Sequence, residues 1–196
     1  MKSESELLAG ARQLDQQTLA DIYDQYSPGI YRYACRLLSN QTDAEECVSE
    51  VFNRFLGALA AGGGPQDHLR AYLYRIAHNW ITDGFRRQPP PELPLEAELI
   101  GHAEDNPSRL VGDELERQQV RTALRLLTPD QRQVIMLKYY EGFSNQETAD
   151  ALDKPVGAVK SLQHRALAAL KRILLENPST NCSKSNLQKE DRYEIS

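Results

Sequence analysis

The stretch from Phe143 to Leu170 limits the folds open to this chain more than any other part. It begins with an amphipathic segment, FSNQETADAL, whose apolar positions recur at helical spacing. The next residues, DKPV, contain a proline that ends this helix. A second amphipathic helix follows, and its charged residues are all basic. Two short helices joined by a tight turn predict a helix-turn-helix, a motif that places its second helix in the major groove of DNA.

The same pattern also fits an ordinary helical hairpin with a solvated basic face, because such pairs are common in all-α proteins. In either case one stripe of the second helix faces the core. Its predicted apolar positions are Val156, Val159, Leu162, Leu167 and Leu170. In the first helix, Thr148, Ala149 and Leu152 are predicted to face inward.

Helical periodicity also dominates the rest of the chain, and signals for β-strands are almost absent. The first helical segment, from Leu19 to Leu38, is predicted to break near Ser27-Pro28-Gly29. A second helix runs from Asp43 to Leu59, with Thr42 or Asp43 as its N-cap. A third covers Leu69 to Phe85. These patterns predict an all-α protein.

A run of prolines divides the chain into two helical domains. Residues from Pro89 to Pro94 read PPPELP, which cannot form a helix, and the following acidic stretch lacks periodicity. Helical pattern resumes near Asp113, and Thr128-Pro129 is typical of a helix start. We therefore predict small domains at 14–88 and 113–175, a flexible linker at 89–112 and a disordered tail at 176–196.

Charge is distributed unevenly along this chain, whose net charge is −5. The part up to Asp67 and the stretch from Glu92 to Glu116 are acidic. The stretch from Arg70 to Arg87 holds four arginines against one aspartate, and the helix from Val156 to Arg172 has only positive charges. An acidic body with two basic patches suits a protein that meets DNA at two places and a protein partner elsewhere.

The cysteines predict neither a metal site nor a disulfide framework. The chain has three cysteines, Cys35, Cys47 and Cys182, an odd number that does not suit a set of disulfide pairs. They are widely spaced, and no CxxC motif or Cys/His cluster occurs. No Gly-rich phosphate loop or catalytic motif occurs, so we predict no cofactor and no enzymatic activity. The chain has neither a signal-peptide pattern nor a segment suited to membrane insertion, and the expected compartment is the reducing cytoplasm.

Three blocks of sequence resemble bacterial RNA polymerase sigma factors of the small, extracytoplasmic-function (ECF) group. DAEECVSEVFNRFLGAL (Asp43 to Leu59) is similar to the helix that docks on the polymerase β′ clamp. RAYLYRIAHNWITDGFRRQ (Arg70 to Gln88) is similar to the promoter-melting block. Residues from Leu127 to Lys171 are similar to the domain that binds the minus-thirty-five element. The resemblance implies a promoter-specificity subunit without catalysis of its own.

The partners that the resemblance implies are promoter DNA and core RNA polymerase, through its β′ clamp and β flap. An anti-sigma factor remains open as a third partner. The residues implied to dock on the polymerase lie on the first block and are Glu46, Glu50, Phe52 and Asn53. A solvated helix face is the plainer explanation for the charged ones.

The melting block interleaves basic and aromatic side chains, which hold single-stranded DNA by contacts to phosphates and by stacking. The residues expected to act at the minus-ten element are Arg75, Asn79, Trp80, Arg86 and Arg87. Asn79 matches a family position in the base-capturing loop region, and its amide has both a donor and an acceptor for the edge of a flipped base. Core packing is the alternative role for Tyr72, Leu73, Ile76 and Trp80.

In the third block, the family reads the minus-thirty-five element with the first turns of the second helix. The matching residues are Lys160, Ser161, His164 and Arg165. This chain has Leu162 where the family typically has an arginine, and Gln163 where an apolar or aromatic residue is usual. Leu162 therefore either faces DNA, where an arginine would tighten binding, or belongs to the core of the helix-turn-helix.

A stand-alone helix-turn-helix regulator with an N-terminal sensory or dimerising domain is the alternative function. The block from Arg70 to Arg87 discriminates between the two, because a simple repressor does not need a helix of interleaved arginines and aromatic residues.

Overall fold

The computed structural model describes residues 2–38, 40–87 and 119–176, and every regular element in these ranges is helical. The predicted all-α fold is confirmed. The predicted linker and the tail from residue 177 lie outside the described residues. The helices are α1 (Glu4–Arg12), α2 (Gln16–Leu38), α3 (Gln41–Ala60), α4 (Leu69–Arg87), α5 (described over 119–125), α6 (Pro129–Ile135, continued by a π-helical turn at Met136–Tyr140), α7 (Asn145–Leu152) and α8 (Val156–Glu176).

The N-terminal bundle consists of α1–α4, with α2, α3 and α4 packed on one another. Helix α1 lies before the predicted start of the first domain and packs on α2. It begins with a capping box between Ser3 and Glu6, and its Leu7 and Leu8 are buried in the core. The Glu4 carboxylate also accepts a 3.1 Å hydrogen bond from the backbone N–H of Leu69. Helix α1 therefore helps to fix the start of α4.

Two local predictions for this bundle were wrong. Helix α2 runs unbroken through Pro28. The missing N–H weakens the helix there, but residues on both sides, including Ile22 and Ile30, are fully buried, and this packing keeps the helix continuous. The N-cap of α3 is Asn40, whose side chain accepts a hydrogen bond from the N–H of Thr42 at 3.0 Å.

The C-terminal bundle consists of α5–α8, with α6 and α7 both packed on α8. Thr128 is the N-cap of α6, as predicted, and forms a capping box with Gln131. The Arg132 guanidinium donates hydrogen bonds to the carbonyl oxygens of Leu124 and Arg125 at 3.0 and 2.7 Å, which ties α6 to the end of α5.

The two bundles are in direct contact, because α4 packs on α7. A second link between the bundles is a 3.4 Å hydrogen bond that the Gln133 side chain of α6 donates to the Thr82 hydroxyl of α4. The predicted melting block on α4 and the first helix of the helix-turn-helix, α7, therefore lie side by side in this structure. The domain boundaries at 14–88 and 113–175 stay predictions.

Candidate nucleic-acid interface

The helix-turn-helix is built by two capped helices and a sharp turn. Ser144 caps α7 and forms a capping box with Glu147, whose pKa is lowered mainly by the hydrogen bond from the Ser144 backbone N–H. Asp153 ends α7 in the left-handed conformation at φ 51°. Lys154 then forms an ion pair with Asp130 at 3.4 Å, which attaches the turn to α6. These contacts fix the direction in which α8 leaves the turn.

Helix α8 separates a buried stripe from an exposed stripe. Val159, Leu162 and Ala166 are buried against α6 and α7. The predicted minus-thirty-five residues lie on the opposite side, and all of them are exposed: Lys160, Ser161, His164 and Arg165. The structure thus brings these four side chains together on one solvent-facing surface, as the helical spacing predicts.

Leu162 belongs to the core, since it is only 8% exposed. Of the two roles left open by the sequence, the structure supports the core role. The neighbouring Gln163 is partly buried and donates a hydrogen bond to the Tyr139 hydroxyl at 2.9 Å. The departures from the family pattern at these two positions therefore concern packing within the C-terminal bundle.

Helix α4 carries the predicted minus-ten residues on a more crowded surface. Asn79 and Arg86 are exposed, whereas Arg75 and Trp80 are partly buried. Asn79 lies within the helix, in agreement with the helix predicted from Leu69 to Phe85. The Arg75 guanidinium lies 5.4 Å from the centre of the Tyr72 ring. Arg87 ends the helix, and its side chain lies outside the described residues.

A cavity of about 640 Å³ lies between α4 and the helix-turn-helix. Tyr72 and Arg75 line it from the N-terminal bundle, while Gln146, Asp150 and Lys154 line it from the C-terminal bundle. Part of the predicted minus-ten surface therefore faces the other bundle rather than open solvent.

The predicted polymerase-docking residues of α3 divide into two groups. Glu46 and Asn53 are exposed, and Glu50 is partly buried and forms an ion pair with Arg54 at 2.6 Å. Phe52 is 7% exposed, with its ring centre 4.7 Å from that of Tyr23. The three polar residues share one helix face, whereas Phe52 supports that face from inside the bundle.

One set of residues escaped the sequence analysis. Arg70, Tyr74, His78 and Thr82 recur every four residues and form the stripe of α4 that meets the C-terminal bundle. Burial and the nearby Lys154 ammonium lower the pKa of His78, and its Nδ1 has no hydrogen-bond partner. The four-residue spacing was the available signal, but basic and aromatic residues in this block also fit DNA binding.

The described residues contain no group of His, Cys, Asp or Glu side chains suited to hold a metal ion. Among the helices in residues 2–38, 40–87 and 119–176, none combines the length and apolar character that crossing a bilayer requires.

Comparison with protein families matches both bundles. Residues 22–89 match sigma-70 region 2, and residues 117–170 match sigma-70 region 4. The chain is 30% identical to the ECF RNA polymerase sigma factor SigL of Mycobacterium tuberculosis over 86% of this chain and 96% of that protein. It is 33% identical to SigW of Bacillus subtilis over 82% of this chain and 90% of that protein.

The match to BldN of Streptomyces coelicolor, at 30% identity, covers 86% of this chain and 65% of that protein. Among solved structures, CnrH in complex with the cytosolic domain of CnrY is similar, with a TM-score of 0.67, 25% identity and coverage of 90% of this chain and 99% of that chain. RpoE in complex with the anti-sigma factor NepR from Bartonella quintana shares the fold, with a TM-score of 0.61 and 23% identity over 81% of this chain and 97% of that chain.

The region 2 and region 4 bundles, in this order, define a sigma factor. This chain belongs to the ECF group of RNA polymerase sigma factors. Its role is that of a promoter-specificity subunit.

Proposed function

We propose that this sigma factor binds core RNA polymerase through α3, recognises the minus-thirty-five element through α8 and opens the minus-ten element through α4. The observation that carries the proposal is the exposed stripe of α8, where Lys160 and Arg165 project from the side opposite the buried Val159 and Leu162. Lysine and arginine side chains suit guanine edges and phosphates, and the serine between them suits either.

The docking surface is the α3 face formed by Glu46, Glu50 and Asn53. Its charge suits a basic surface on the polymerase, for which the β′ clamp is our candidate, and the β flap is the candidate partner of the C-terminal bundle. The Glu50–Arg54 ion pair holds one carboxylate of this face in place. Phe52 contributes by packing, so its removal would act through the shape of α3.

The melting surface is the exposed part of α4 around Asn79. Asn79 offers a donor and an acceptor to a flipped base, Trp80 offers a partly exposed ring for stacking, and Arg86 supplies a cation for phosphates. Arg75 and Arg87 are proposed to add cations along the same strand. Such a surface is the feature that a stand-alone helix-turn-helix regulator would not need.

The chain is proposed to have no catalytic activity of its own and to act in the cytoplasm, where RNA polymerase works. These proposals rest on the sigma-factor family. A regulatory protein partner is proposed by similarity to CnrH, whose solved structure contains the cytosolic domain of CnrY.

Co-elution with core polymerase followed by run-off transcription on a genomic library tests the proposal. The purified chain should co-elute with core and direct transcripts from discrete start sites. A chain that binds DNA fragments specifically but neither binds core nor supports initiation would be the stand-alone regulator instead.

A further inference from the structure

Helix α1 contacts the loop at residues 61–68, which leads from α3 into α4. The Arg12 guanidinium donates hydrogen bonds to the carbonyl oxygens of Pro65 and Gln66 at 3.2 and 3.0 Å, and to the side-chain oxygen of Gln66 at 3.1 Å. Arg12 and these acceptors are 53 and 54 residues apart in the sequence. The contact is therefore tertiary, and it fixes the middle of the loop relative to α1.

Glu4 holds the end of the same loop. Its carboxylate accepts the 3.1 Å hydrogen bond from the backbone N–H of Leu69, the first residue of α4. The first N–H groups of a helix lack partners within it, and a negative charge there also interacts favourably with the helix dipole. Glu4 and Arg12 are the first and last residues of α1. We call their two contacts the α1–loop contact.

The loop backbone is costly to order. Gly62 and Gly64 have φ values of 74° and 96°, a region that glycine adopts readily, but glycine also loses the most conformational freedom on folding. His68 has a φ of 51°, which is strained for a residue with a Cβ. Such conformations persist only where the surrounding structure holds them. The α1–loop contact supplies hydrogen bonds on both sides of His68.

The loop in turn sets the first turn of α4. The carbonyl oxygen of His68 accepts a 3.0 Å hydrogen bond from the backbone N–H of Tyr72. The Tyr72 ring meets the Phe55 ring edge to face, with centres 6.3 Å apart, and the Arg75 guanidinium lies 5.4 Å from the centre of the Tyr72 ring. Tyr72 and Arg75 also line the same cavity as residues 64–68. A displaced loop would therefore displace the side chains on which Arg75 rests.

We propose that Arg12 is a positioning residue for promoter opening, which acts by fixing the loop at residues 61–68 and thereby the place of Arg75. This inference rests on the proposed function of α4 at the minus-ten element. The physical reason is preorganisation: a loop that is already ordered in the free protein has no ordering cost to meet when the single strand binds.

Hydrogen–deuterium exchange of the full chain tests the α1–loop contact. Arg12 is exposed, so Arg12→Gln leaves no cavity in the core. The Leu69 and Tyr72 amides should exchange about 3- to 10-fold faster in this variant, the ratio expected for one lost hydrogen bond. Arg12→Lys keeps a charged donor and should restore part of the protection. Arg32→Gln makes the same charge change at an exposed site on α2 and should match the wild type.

Unchanged exchange at both amides in folded Arg12→Gln would overturn the proposal, because the loop would then be fixed without Arg12. Permanganate footprinting with core polymerase tests the step from the loop to the promoter. Arg12→Gln should lower thymine reactivity near the minus-ten element by about 3- to 10-fold, with binding to core and to a minus-thirty-five duplex unchanged. Arg12→Lys should recover part of the reactivity. Wild-type reactivity in a variant whose loop exchanges faster would refute the positioning role.

A double-mutant cycle with Arg75→Ala separates positioning from a general loss of stability. If Arg12 acts through Arg75, Arg12→Gln should lower thymine reactivity much less in the Arg75→Ala background than in the wild type. Equal losses in both backgrounds would overturn the positioning role. If Arg75→Ala and Asn79→Ala both open the promoter like the wild type, the proposed function of α4 fails and the positioning role fails with it. Hydrogen exchange then still decides whether α1 holds the loop.

Discussion

The two helices proposed to meet DNA, α8 and α4, present their basic residues in different ways. On α8, the exposed Lys160 and Arg165 lie opposite a purely apolar buried stripe. On α4, Arg70 and Tyr74 contact the other bundle, while Asn79 remains exposed. Basic and aromatic residues therefore indicate a DNA surface only where the rest of the fold leaves them free.

The first prediction concerns the separation of buried and exposed stripes on α8, and it has the largest expected effect. Leu162→Arg places a charge at a buried position without a partner, so the free energy of unfolding should fall by about 3 kcal/mol or more. Chemical denaturation measures this change. The matched control is Ser161→Arg, an exposed neighbour that should change stability by less than about 0.5 kcal/mol. Equal stability of the two variants would place Leu162 outside the core.

The exposed stripe is tested by Lys160→Ala and Arg165→Ala. Each should weaken binding to a minus-thirty-five duplex, and loss of a phosphate contact should lower the log–log salt slope by about 1. A residue that reads a base instead should relax specificity at one position, at a cost of roughly 1–3 kcal/mol. Salt-titrated binding distinguishes the two roles. Wild-type affinity and slope in both variants would remove α8 as the reading helix.

The docking face of α3 is tested by Glu46→Lys and Glu50→Lys. Reversal of a charge that faces a basic partner should weaken core binding by about 1–2 kcal/mol. Phe52→Ala is less informative, because a cavity at this buried position destabilises the bundle itself. Competition binding to core polymerase measures the effect. Folded Glu→Lys variants with unchanged affinity would refute the docking face.

A pH titration probes the α4 stripe at His78 and has the smallest expected effect. Burial, together with Lys154 and Arg86, lowers the pKa of His78 against the opposing effect of Asp130 and Asp153. Its stabilising contribution is therefore complete above the unfolded-state pKa of about 6.5 and declines as the pH falls below it, by at most about 1.4 kcal/mol per pH unit. Denaturation from pH 8 to pH 5 measures this decline, and His78→Phe should reduce it. An identical pH profile for that variant would contradict the assignment.

The helical pattern predicted the framework well because buried stripes repeat at a fixed spacing. The start of α6 at Thr128 and the inward face of α7 followed from local chemistry. The unbroken α2 did not, since packing on either side of Pro28 is a property of the folded bundle. Helix α1 had a usable signal in the Ser3–Glu6 capping box, which was overlooked.

The candidate site was predictable to a different degree on each helix. The exposed residues of α8 follow from its amphipathic pattern alone. The Glu141 carboxylate accepts hydrogen bonds from Arg36 and Tyr74, which lie far from it in the sequence. No local sequence pattern predicts such contacts. Glu141 is the C-cap of the π-helical turn that ends α6, and its carboxylate also accepts a hydrogen bond from Arg36 of the other bundle.

The central claim is that α4 opens the minus-ten element whereas α8 recognises the minus-thirty-five element. Permanganate footprinting of one promoter with core polymerase tests this claim most directly, since permanganate modifies unpaired thymines. Asn79→Ala should leave minus-thirty-five duplex binding at the wild-type level but reduce thymine reactivity near the minus-ten element, because it removes an edge contact to a flipped base. Lys160→Ala should weaken recruitment while retaining opening once the complex has formed. Wild-type thymine reactivity with Asn79→Ala would contradict the account.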